Sequence, residues 1–310
     1  RVNVMPRCYE DDDLGVVIPA QCARCAGCTR CNQFRTGLTR DQQEIVNLVD
    51  AGLHLDTENQ RITASYPVNH KVELLKNNYD QVAKRQAALE RSLMRKGAMQ
   101  QYNDNFMDAV KRGAIVEVSR EDLRRYEAGG GPVHFIGHHA VWKPTSKSSP
   151  IRMVADCALK NNFTGPSLND LVPKPPNSLN DLVQVLLRFR SYEVGCTFDL
   201  SKAYNCIFTG QFENFLRMQL WRMGVTDQDW RLWQYRVVAF GDVAASLILE
   251  LAKNRICDHA QDLGFSSDTI DKLRSCVYVD DFCGGGSRSD VQRMVGDYQV
   301  LEDGKLNYDG

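Results

Sequence analysis

Residues 276–286 read CVYVDDFCGGG, with Cys276, Val277, Tyr278 and Val279 leading into the adjacent acids Asp280 and Asp281, and with Phe282, Cys283 and three glycines following. Apolar residues on both sides of an acidic pair predict two strands joined by a tight bend, with the carboxylates at the bend. Paired acids at such a bend suit a hard divalent cation. Magnesium and manganese prefer oxygen ligands and keep water or phosphate in their remaining positions, so a site of this kind calls for clustered Asp rather than His or Cys. An acidic pair in a solvated turn is the bland alternative, and a second acidic strand upstream argues against it.

That strand begins at Thr197, in the run TFDLSKAYNCI. Cys196, Phe198 and Leu200 alternate with Thr197 and Asp199, so a strand with one apolar face turns Asp199 to the other side. A third carboxylate is then available to the same site. Between these stretches, Trp221, Trp230 and Trp233 fall in what reads as a long helical connection and are expected in the core. Phe240 and Gly241 open a helix through Leu247, Leu251 and Ile256 that ends near Gly264. Beyond Gly286 a helix over 290–301 is expected beneath the acidic strands.

Upstream, residues 69–95 place Val72, Leu75, Tyr79, Val82, Leu89 and Leu93 at steps of three and four, the pattern of an amphipathic helix. A second helix over 99–111 uses Tyr102, Phe106 and Val110, and Gly113 ends it. A short strand over 115–118 and a capping box from Ser119 to Asp122 follow. The strand over 133–143 carries His138 and His139, which point to opposite faces and are read as structural rather than as a metal pair. A polar turn then leads to the strand over 151–156, so Lys143, Lys147 and Arg152 sit on a hairpin. Asn177, Ser178 and Leu179 cap a helix through Leu182, Leu186 and Phe189 that feeds the strand of Asp199.

The ordered blocks PAQCARCAGCTRC, GHHAVWKP, PIRMVADC, SLNDLV, LLRFR, FDLSKAY, FGD and YVDD resemble the polymerase polyprotein of BEL/Pao-type retrotransposons, from about Pro19 onward. Asp199 with Tyr204, then Phe240 and Gly241, then YVDD match the successive motifs of its reverse transcriptase. The resemblance implies an α+β right-hand fold: an antiparallel palm sheet over helices, a fingers subdomain, and a thumb absent or truncated. The expected divisions are a Cys-rich linker region (1–65), a helical extension (66–115), fingers (116–190) and palm (191–310). The implied activity is RNA-directed DNA polymerisation, in which two metal ions activate the primer hydroxyl and stabilise the leaving pyrophosphate. Asp199, Asp280 and Asp281 would hold Mg2+ or Mn2+, Arg152 and, less closely, Lys143 would meet the triphosphate, and Tyr204 would exclude a 2′-hydroxyl. Phe240 and Gly241 would border the nucleotide, the glycine letting the backbone approach nucleotide or template without a side-chain clash, and two departures from the retroviral pattern bear on nucleotide selectivity, because Phe240 stands where a glutamine is common and Ala245-Ser246 where Ser-Pro is usual. The implied partners are an RNA or DNA template with its primer, deoxynucleoside triphosphates, and the rest of the polyprotein: protease, ribonuclease H and integrase. An RNA-directed RNA polymerase and a degenerate, non-enzymatic RNA-binding fragment are the alternatives.

Composition adds bounds. The 310 residues suffice for about two domains and a sizeable core. With 38 basic and 39 acidic residues, net charge -1, any nucleic-acid contact must come from local basic patches. Eleven cysteines cannot all pair within one chain, which favours a reducing compartment. Cys22, Cys25, Cys28 and Cys31 recur every third residue. Thiolates so close suit Zn2+, their tight spacing strains one tetrahedral site, and an iron–sulfur cluster or an unliganded linker remain open. No run approaches the roughly 18 apolar residues of a membrane span, and the start has no signal-peptide anatomy, so a cytoplasmic, non-secreted setting is expected, and the resemblance implies a virus-like particle there. With no initiator Met and a polar last segment, the chain reads as a piece of a longer protein. The first 20 residues lack an aspartic-protease triplet.

Overall fold

The computed structural model describes residues 38–303 except 69–70, 144–149, 161–164 and 227, together with a small hairpin of β1 (Glu10–Asp12) and β2 (Gly15–Val17). Cys22, Cys25, Cys28, Cys31 and Lys147 lie outside the described residues. It is a mixed helix and strand structure with small sheets.

Residues 40–64 form α1 (Arg40–Ala51) and the hairpin of β3 (Leu53–Asp56) and β4 (Arg61–Ala64). Thr39 starts α1 with a full capping box: its hydroxyl accepts from Gln42 N–H, and the Gln42 side chain accepts from Thr39 N–H. The amphipathic pattern of 69–95 yields a helix only from Tyr79, α2 (Tyr79–Arg95), after a short 3-10 turn at Val72–Leu74. The reason is tertiary. Asn78 is buried and its amide bonds the Phe135 backbone in both directions, at 2.9 and 2.8 Å, which pins the chain just before the helix.

Helix α3 (Met99–Lys111) has the expected bounds and buries Tyr102, Phe106 and Ala109. β5 (Ile115–Val118) follows, and Ser119 caps α4 (Arg120–Ala128) by accepting from Asp122 N–H at 3.0 Å. β6 (Gly137–Trp142), shorter than the expected 133–143, pairs antiparallel with β7 (Ile151–Asp156). On β6, His138 is buried and His139 exposed, as alternation requires. Helix α5 (Leu182–Ser191) is capped by Asp181, whose side chain accepts from Gln184 N–H at 2.9 Å; the cap expected at Asn177 to Leu179 lies too early.

The helical connection expected around the tryptophans is not helical. After β8 (Val194–Asp199), β9 (Ile207–Thr209) and the short α6 (Gln211–Phe215), the chain forms β10 (Met218–Trp221) and β11 (Arg231–Tyr235), which pair with each other, and β11 pairs with β5 on its other side. Met223 and Gly224 both adopt left-handed φ, of 56° and 78°, so no right-handed helix can run through them. Trp221 and Trp233 are in the core, as expected, and meet Phe106 and Tyr102 edge to face. Rings of this size each bury roughly 150–250 Å² and dominate the energetics of the cluster.

The last third comprises α7 (Ala245–Asp262), α8 (Ser267–Ser275), β12 (Val277–Tyr278), β13 (Asp281–Gly286) and α9 (Arg288–Asp303). β13 lies between β12 and β8 in a three-stranded antiparallel sheet, and a separate sheet has the order β3-β4-β9, in which β4 pairs parallel with β9. Among the described residues no helix is long and apolar enough to cross a membrane.

Candidate metal centre

Alternation along β8 and β13 explains the site. Phe198 and Phe282 pair across the strands and stack at 4.2 Å between centroids, on the face that packs with Ile270, Leu273 and Met294 from the helices beneath. Their neighbours Asp199 and Asp281 therefore project from the opposite face, and the register pairs Asp281 with Asp199. Both are exposed.

Asp280 occupies the bend between β12 and β13 behind Val279, whose φ of 62° is an outlier for a β-branched residue. Such a conformation costs on the order of 1–3 kcal/mol and persists where surrounding bonds over-determine it. Here the N–H of Leu200 donates to the Asp280 carbonyl at 2.7 Å, tying the bend to the end of β8. The two stretches are thus locked together at the level of the acids, and carboxylate oxygens of Asp199, Asp280 and Asp281 all lie within 4.8 Å of one another.

Burial raises the carboxyl of half-buried Asp280 above the ordinary range, the charges on Asp199 and Asp281 push it the same way, and a backbone N–H and Arg152 pull it back. Three carboxylates so close repel, and a divalent cation removes the repulsion. The all-oxygen donor set, partly exposed, fits magnesium with water or phosphate completing its shell. Beside the acids, a depression of about 350 Å³ on the α5 side is lined in part by Leu182, Thr197, Tyr278 and Cys283.

The remaining candidates differ in exposure and in what they touch. Arg152 is exposed on β7, paired in register with Val141, and its charge is felt at Asp280. Lys143 is exposed just past β6. Tyr204 is not an open wall: it lies on the 3-10 turn Ala203–Cys206, only 5% exposed, among Ile207, Val238, Ala244 and Ile248. Burial raises its hydroxyl, which comes within 3.5 Å of Ser246 Oγ. Phe240 is 45% exposed and stands edge-on to Tyr204, centroids 4.7 Å apart at 66°.

Gly241 has φ 97°, and a Cβ there would fall 2.8 Å from the Ala155 carbonyl oxygen, so the neighbour that demands a glycine is the backbone of β7. Helix α7 starts at Ala245, later than Phe240 and Gly241, which sit in the loop before it. Two supports of this loop escaped the sequence reading. Asn169 donates from Nδ2 to the Gly241 carbonyl at 2.8 Å and accepts from Val243 N–H at 3.1 Å. Beneath, Arg217 and Asp242 form an ion pair of 2.8 Å with side chains 2% and 1% exposed, and the ring of Tyr66 lies 3.8 Å under the guanidinium. A lone arginine in the apolar run FLRMQLW was the available signal, since buried charges occur paired.

No protein-family model matches the chain, and no curated protein matches it. Among solved structures it is similar to the foamy viral protease-reverse transcriptase dRH in complex with ds DNA, at 15% identity and a TM-score of 0.43, over 63% of this chain and 27% of that one.

Proposed function

We propose that the chain is the fingers and palm region of an RNA-directed DNA polymerase, from a polyprotein of the BEL/Pao retrotransposon type. The observation that carries this reading is the convergence of Asp199, Asp280 and Asp281, from two separate stretches, to within 4.8 Å at the end of one antiparallel sheet. The ordered motifs of the sequence support it independently.

Asp199, Asp280 and Asp281 would hold Mg2+, which supplies charge stabilisation and a lowered pKa for the primer hydroxyl when bound. Arg152, whose field reaches Asp280, offers the triphosphate a fork of N–H donors. Lys143 adds a second cation at the end of β6. The substrates are then a primed RNA or DNA template and deoxynucleoside triphosphates, with the protease, ribonuclease H and integrase of the polyprotein as partners in a cytoplasmic particle. Primer extension on an RNA template with Mg2+ tests the reading, with Asp280→Asn as control. Extension by the protein, abolished in the variant, is the expected result; equal extension by both would remove Asp280 from the chemistry.

A further inference from the structure

The hexapeptide SLNDLV occurs twice, at 167–172 and again at 178–183, with Pro173, Pro175 and Pro176 between the copies. Its asparagine is Asn169 in the first copy and Asn180 in the second. Asn169 spends its amide on the backbone of Gly241 and Val243. Asn180 is half-buried, and its Nδ2 donates to the Arg274 carbonyl at 2.8 Å, in the last turn of α8, and to the Val277 carbonyl at 2.7 Å, in β12. Beside it, Arg188 of α5 donates to the Ser275 carbonyl at 3.0 Å.

These bonds bear on the acids. Strand β12 has two residues, lies at the edge of its sheet with β13 on one side, and leads straight into Val279 and Asp280. A bend strained at Val279 keeps its shape only where both of its arms are fixed. One arm is fixed at Asp280, whose carbonyl accepts from the Leu200 N–H at 2.7 Å. The other is fixed at Val277 by Asn180, which also joins the start of the strand to the end of α8, where helix carbonyls lack partners of their own.

We infer that Asn180 is a positioning residue for the carboxylates: through Val277 it fixes where the bend holds Asp280 against Asp199 and Asp281. The inference rests on the reading of these three acids as ligands of a divalent cation, and deepens it. Carboxylates within 4.8 Å of one another repel, so they take up an ion well only when the backbone holds each of them in place beforehand. Removing a group that holds a ligand lowers metal affinity by roughly 10–100-fold. The two copies of the hexapeptide then divide the work, Asn169 holding the loop of Gly241 and Asn180 holding the acids.

The test is Mn2+ binding to the protein, followed by loss of the free-ion electron paramagnetic resonance signal at a temperature below the thermal midpoint of every variant. Asn180→Ala is expected to raise the Mn2+ Kd about tenfold, and Asn180→Gln, which keeps the amide donor, to recover part of the loss. Asn169→Ala, the same change in the other copy, is expected to leave the Kd as it is. In primer extension, Asn180→Ala is expected to need about tenfold more Mg2+ for its half-maximal rate, with the KM for dATP little changed. A merely structural role would not shift the metal requirement. A wild-type Kd in Asn180→Ala overturns this inference alone, and so does an equal rise in Asn169→Ala, because the loss is then a general loosening. If the wild-type protein and Asp280→Asn bind Mn2+ alike, the acids are not the metal site, and the polymerase reading falls together with this inference.

Discussion

Asp281 on β13 lies directly across from Asp199 on β8, so the two acids most distant in sequence are register partners in the structure. Their alignment is a consequence of pairing Phe282 with Phe198 one step further along. Any slip by one residue would turn the phenylalanines to solvent and the acids into the helices, which makes this register strongly specified.

Replacement of Asp199 or Asp280 by Asn is expected to lower primer extension on the order of a hundredfold or more, because one ligand of a charge-stabilising site is lost. The thermal midpoint without metal should not fall, since one of three mutually repelling carboxylates has been neutralised. Extension rates and calorimetry on the same samples check both halves, and near wild-type extension would refute the first.

The Gly241→Ala variant asks a non-glycine residue to hold φ 97° with its Cβ 2.8 Å from the Ala155 carbonyl oxygen. The strain alone is worth about 1–3 kcal/mol, and the contact adds to it. Urea unfolding should show a loss of about 2 kcal/mol or more. A neutral result would mean that the loop relaxes away from β7.

Asp242→Ala leaves the guanidinium of Arg217 buried without its partner, a change that costs about 3–5 kcal/mol in comparable sites. Replacing both, as Arg217→Met with Asp242→Leu, removes the charge together with its desolvation and should recover most of that loss. Denaturant midpoints for Asp242→Ala, for Arg217→Met alone and for the double variant decide it. A double variant no better than the singles would show that the pair is not the source of the effect.

Acid should destabilise the fold well above the carboxylate range. Burial lowers His134 to about 4 and His138 to about 3, and the hydroxyl of Tyr102 lies 2.7 Å from His138 Nδ1. Both folded values lie below the ordinary 6.5, so the unfolded chain takes up protons that the folded chain refuses. Stability is then full above pH 6.5 and declines as pH falls from there toward 4 and 3, by on the order of 3 kcal/mol per histidine at pH 4. Urea midpoints from pH 7.5 to 5 measure it; a flat profile below 6.5 would contradict the burial of these rings.

Much of the site was legible because its signals are local. The period-2 alternation of Cys196, Phe198 and Leu200 against Asp199, and the acids at the centre of CVYVDDFC, announce strand faces and a bend without reference to the rest of the chain. Helix 99–111 was legible for the same reason, as its apolar residues recur on one side. The strands of Trp221 and Trp233 were not. Buried on both faces, they show no alternation, and a continuous apolar run does not distinguish strand from helix. Only tertiary structure decided that Asn78 starts a helix, that Asn169 and Arg217 hold the loop of Phe240, and that Tyr204 lies beneath Phe240 rather than in the open. Each depends on which distant backbone arrives beside a side chain, and sequence spacing along one strand carries no information about burial by another.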